Sequence, residues 1–100
     1  MTFAYEPELL EYMREKGMTT IAVEVMSSDH SDFEVTELYV HLIRDRQVEY
    51  FIQNKGFHPK QTEHGLVLLP NYRLAYDDTV TFGLKKFWVF RSLKQTGIRL

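Results

Sequence analysis

A chain of 100 residues with 44% apolar and 26% charged side chains is long enough for one domain and too apolar to stay disordered. A formal charge of -2 gives no overall bias towards polyanions, and the absence of cysteine excludes disulfides, thiolate metal centres and cysteine nucleophiles. The start, "MTFAYEPELLEYMREKG", sets acids among its apolar residues and does not read as a secretory signal, and no 18-residue apolar stretch is present to span a bilayer. The expectation is a cytoplasmic domain with no membrane association.

In chain order, Pro7, the early acids, Lys16 and Gly17 punctuate one short helix, with Leu9, Leu10 and Met13 as its apolar stripe and Tyr5 placed to pack on Leu10. From Thr19 the period becomes two: Ile21, Val23 and Val25 share one face of a strand. Ser27 to Asp32 is expected to turn the chain. Apolar residues then sit at odd positions, Phe33 and Val35, and later at even ones, Leu38, Val40 and Leu42, which predicts a bulge near Thr36-Glu37. "RDRQ" reads as a connection into a strand "VEYFI", the two strands forming a hairpin, and residues 53–65 read as a long loop. "LVLLP", "YRLAY", "TVTFG" and "KKFWVFRSL" read as further strands, with Pro70-Asn71 and Asp77-Asp78 as turns. Trp88 is expected in the core. The fold class is α+β: one short N-terminal helix followed by five to seven mostly antiparallel strands, as a β-roll or small barrel-like sheet.

The charges are unevenly spread. Residues 1–37 hold nine acids against Arg14 and Lys16, a balance of -7, and residues 85–100 hold five cations and no acid. An acidic helix lying beside a basic last strand accounts for this without invoking a ligand.

Asp29, His30 and Asp32 form the densest group of potential ligands, and His58 and His64 share a later loop with Glu63. None of these fits a zinc spacing, and Ser and Asp are ordinary turn residues, so a turn is the first reading. A metal site built from His30, His58 and His64 with Asp29 and Asp32 is the alternative, and it requires the two loops to converge. His41 reads as a half-buried strand residue. No serine lies in a nucleophile elbow and no glycine loop cradles phosphate. Lys85, Lys86, Arg91 and Lys94 interleave with aromatic residues as in single-strand nucleic-acid binders, although an outward-facing basic strand gives the same letters.

The order of elements, a helix ending near Gly17, "TTIAVEV" running into "SSDHSD", a long strand, "HGLVLLPNYRLAYDD" and "FWVF", resembles the layout of the HesB/IscA-like β-roll proteins of iron-sulfur cluster assembly. Where that family carries its first ligating cysteine this chain has Ser27 and Ser28, and its C-terminal "SLKQTGIRL" lacks the Cys-x-Cys pair. The resemblance implies a shared scaffold without cluster chemistry. No cofactor is expected. The function expected is a non-catalytic accessory or interaction domain with a protein partner or a second copy of itself, nucleic acid being disfavoured.

Overall fold

The computed structural model describes the backbone of residues 1–30 and 33–100, and side chains outside 28–35. The elements in chain order are β1 (Thr2–Tyr5), α1 (Pro7–Lys16), β2 (Thr20–His30), β3 (Phe33–Ile43), α2 (Asp45–Lys55), β4 (His58–Thr62), β5 (Gly65–Leu69), β6 (Ala75–Phe87) and β7 (Phe90–Arg99). They build two mixed sheets, β1-β6-β7 and β3-β2-β5-β4. The β1/β6 and β2/β5 pairs are parallel, and the three hairpins are antiparallel. The fold is therefore α+β as expected, with a second helix and with a strand ahead of the first helix. Among the described residues no helix is long and apolar enough to cross a membrane.

Helix α1 has the predicted bounds. Pro7 opens it, and Gly17 closes it at φ +66°, where its N–H bonds the Arg14 carbonyl at 3.2 Å. Its Leu9 and Met13 enter a core shared by both sheets: Ile21 and Val23 of β2, Val40 of β3, Val67 and Leu69 of β5, Val80, Phe82 and Leu84 of β6, and Ile98 of β7. Burying each such side chain contributes roughly 1.5–3 kcal/mol. The other face of the β2-centred sheet packs on α2, with Ala22, Ile43 and Leu68 against Phe51 and Phe57 and with Val48 and Ile52 alongside. A strand covered on both faces reads apolar at consecutive positions, and Ile21, Ala22 and Val23 are all buried.

Four sequence expectations are corrected. "VEYFI" belongs to α2, because Val48, Phe51 and Ile52 fall at helical spacing on the sheet while Gly56, at φ +71°, stops the helix. The bulge near Thr36-Glu37 is absent: β2 and β3 keep one register from Thr20↔Ile43 to His30↔Phe33. Along the described part of β3 both faces are used, Leu38, Val40 and Leu42 towards the shared core and Ile43 towards α2. Ser27 to His30 continue β2 and do not turn the chain, while Ser31 and Asp32 lie outside the described residues. Asp77-Asp78 lies inside β6, beside the register shift between Tyr76 and Thr81.

Tyr5 of β1 and Thr62 of β4 make a polar contact between the sheets. Thr62 Oγ1 accepts the His64 N–H at 3.2 Å, lies 2.7 Å from the Gly65 carbonyl and 2.9 Å from the Tyr5 hydroxyl. A hydroxyl carries one proton, which Thr62 donates to Gly65, so Tyr5 is the donor in the third contact. Burial pushes the Tyr5 phenol above its ordinary pKa.

Candidate interaction site: the tip of the β6–β7 hairpin

The stretch from Leu84 to Leu93 folds back on itself, with Leu84↔Leu93, Lys85↔Ser92, Lys86↔Arg91 and Phe87↔Phe90 in register. Only Trp88 and Val89 lie between the strands, so "KKFWVFRSL" is a hairpin end and not one continuous strand. Trp88, expected in the core, is 90% exposed, and Phe87, Val89 and Phe90 are 70%, 84% and 69% exposed. The correction has a simple cause: alternation along a strand stops at the turn, and nothing packs beyond it. Phe87 and Trp88 stack on each other, ring centroids 6.5 Å apart.

The turn carries a conformational cost as well. Trp88 has φ +56°, the one non-glycine residue with positive φ among the described residues, while Val89 does not share it. A two-residue hairpin turn with positive φ only at its first position is the type that selects glycine there. A side chain at such a position costs about 1–2 kcal/mol. At 150–250 Å² per aromatic ring, the three rings at these exposures present roughly 350–570 Å² of apolar surface, the size of the largest patch on an ordinary monomer.

Behind the tip the basic residues are already engaged by the acidic start of the chain. Lys86 Nζ lies 3.9 Å from Glu8, Arg91 donates to Glu15 at 3.0 Å, and Lys94 Nζ lies 3.6 Å from Glu6. The Glu6–Lys94 pair closes over Gly83, where a Cβ would sit 1.7 Å from the Glu6 carboxylate. Of the four basic residues singled out in the sequence, Lys85 alone has no carboxylate within 4.0 Å among the described residues. The collar of the tip is thus close to electroneutral.

The histidines do not gather. His58 opens β4 and His64 sits in the turn after it, an extended strand of about 13 Å or more between them. In the parallel β2/β5 register Thr20 is level with Leu66, so His30 is about ten strand residues, roughly 33 Å along β2, beyond the level of the His64 turn. His64 instead sets its ring against Tyr5, centroids 5.0 Å apart. Asp29 and His30 have described backbones only, and Asp32 has none. Among the described residues no three of His, Asp and Glu lie together as a metal site.

One histidine does meet a carboxylate. His41 Nε2 bonds Glu24, whose other oxygen accepts from Lys55 Nζ at 3.2 Å, and Tyr39 stacks on the imidazole at 4.6 Å. Burial pushes the Glu24 carboxyl up, but the hydrogen bonds and charges of His41 and Lys55 together outweigh it and hold the group below the usual carboxylate range. Among the described residues no serine or threonine hydroxyl bonds His41.

No family model, curated protein or solved structure matches the chain.

Proposed function

We propose that this protein is a non-catalytic interaction domain that docks by inserting the Phe87–Phe90 tip into an apolar pocket on a partner protein. The observation that carries the reading is Trp88, 90% exposed at φ +56°. Both properties work against folding stability, and a side chain that costs stability at an exposed turn is accounted for by a contact made outside the chain. Tryptophan flanked by two phenylalanines is also the composition that dominates protein interfaces. The near-neutral collar favours an apolar partner surface over a polyanion. The HesB-like layout enters the proposal as scaffold alone, since no thiol stands anywhere in the chain.

The test is affinity capture from the cells that make the protein, with wild type and a Trp88→Ser/Phe90→Ser variant side by side. A partner held in stoichiometric yield by wild type and lost by an equally stable variant is the expected result. Equal capture by both contradicts the reading. Two other occupants give distinct contrary results: concentration-dependent self-association abolished by the variant would assign the tip to a second copy, and a blue shift of Trp88 fluorescence on adding lipid vesicles would assign it to a bilayer.

A further inference from the structure

A second feature lies away from the tip, where the outer edge of β3 faces β7 across the end of α1. A cleft of about 360 Å³ opens there, bordered by Tyr12 and Lys16 of α1, Tyr39 to Leu42 of β3, Arg44, and Arg91 to Leu93 of β7. Its polar lining is one-sided in charge. Lys16, Arg44 and Arg91 contribute three cations, and among the described residues no aspartate or glutamate lines it.

Two of these cations converge on one ring. The Arg91 guanidinium lies 4.5 Å from the centre of the Tyr12 ring, and the Lys16 ammonium lies 5.6 Å from it. Glu15, outside the lining, holds Arg91 at 3.0 Å and so fixes its position. Lys16 and Arg44 have no carboxylate within 4.0 Å among the described residues. Glu15 offsets the charge of Arg91, so Lys16 and Arg44 are the two cations left for an anion to neutralise. Further donors are at hand. Among the described residues strand β3 pairs with β2 alone, and the backbone groups on its other edge meet no strand. Tyr12, Tyr39 and Ser92 border the same space, and Met18, Val40, Leu42 and Leu93 supply an apolar floor. Charged and polar groups beside an apolar floor offer a small molecule one surface that orients it and another that packs on it.

We propose that this cleft binds a small organic oxyanion, a carboxylate or phosphate monoester carried on a compact apolar body. The head group sits between Lys16, Arg44 and Arg91, and the body lies on Val40, Leu42 and Leu93. The inference is independent of the hairpin tip, because neither Trp88 nor its aromatic neighbours line the cleft.

The experiment is an NMR titration of the ¹⁵N-labelled full chain with phenyl phosphate, benzoate, phenol and inorganic phosphate. Saturable shifts at the amides of Val40 to Leu42, Ser92 and Leu93 are expected with phenyl phosphate or benzoate, and the tighter of the two identifies the head group. Lys16→Ala and Arg44→Ala, both at exposed positions, each weaken that binding about tenfold, and Lys16→Arg restores it. Binding of phenol or inorganic phosphate as tight as that of the organic anions would overturn the proposal. So would shifts outside the cleft only, or unchanged affinity in Lys16→Ala. Failure of both organic anions to bind would overturn it as well.

Discussion

Phe87 and Phe90 face each other as the last register pair of the β6–β7 hairpin, both about 70% exposed, one residue pair beyond Lys86 and Arg91, which α1 holds through Glu8 and Glu15. The helix therefore anchors the base of the hairpin and leaves its aromatic end free. Stability and docking are assigned to adjacent but separate residues, and that separation makes the account testable by substitution.

Phe82 and Trp88 are six residues apart on one hairpin and should behave in opposite ways. Phe82 is fully buried among Phe3, Tyr5 and the shared core. Phe82→Ala should cost about 3–5 kcal/mol, comparable to the whole stability of a small domain. Trp88→Ala should cost less than about 1 kcal/mol in denaturant unfolding. A larger loss would return the indole to the core.

Glycine at position 88 relieves the positive φ of the turn at the expense of a more flexible unfolded chain. Trp88→Gly should leave stability unchanged or raise it by up to about 1 kcal/mol. A clear loss in the same unfolding assay would mean that the indole stabilises the turn through contacts the structure does not show.

Gly65 and Gly17 both have positive φ but differ in surroundings. A Cβ on Gly65 would sit 2.0 Å from the Thr19 carbonyl oxygen, where backbone blocks it, and one on Gly17 meets nothing within 4 Å. Gly65→Ala should therefore cost roughly 3 kcal/mol or more and Gly17→Ala only about 1 kcal/mol. Equal melting temperatures for the two variants would contradict the β2/β5 packing.

The two titratable contacts give stability a slope at each end of the pH scale. Glu24, held below its ordinary value of 4.5, stabilises the fold above that pH, and the contribution is lost as pH falls through its folded pKa. Tyr5, raised above 10.0 by burial, contributes fully below that pH and loses the contribution as pH rises through its folded pKa. Glu24→Gln should flatten the acid limb of a stability-pH curve. Tyr5→Phe should cost about 1 kcal/mol at neutral pH by removing the hydrogen bond to Thr62, and should reduce the alkaline loss without abolishing it, since burial also raises Tyr76. An unchanged acid limb in Glu24→Gln would argue against the Glu24–His41–Lys55 contact.

The parts legible in sequence were those with one unambiguous period. Pro7 and Gly17 bracketed α1 at its actual bounds, and "LVLLP" marked β5. Helix α2 was hidden because Val48, Tyr50, Phe51 and Ile52 are strand-favouring residues in a short run, and only their spacing with Gly56 betrays the helix. The hairpin tip was hidden because its turn contains neither glycine nor asparagine. A signal was nevertheless present: Leu84-Lys85-Lys86-Phe87 is mirrored by Phe90-Arg91-Ser92-Leu93 about Trp88-Val89, the symmetry a two-residue hairpin imposes. The complementary charge of the two ends was legible, and the structure shows it as the ion pairs from α1 and Glu6 to β6 and β7.

Photocrosslinking tests the docking claim most directly. A benzophenone side chain placed at position 90, and as a control at Tyr72, an exposed residue preceding the far end of β6, would be irradiated in the cells that make the protein. The account predicts one discrete crosslinked protein from position 90 and none at comparable yield from position 72. Equal, diffuse labelling from both positions, or none from position 90, would contradict it.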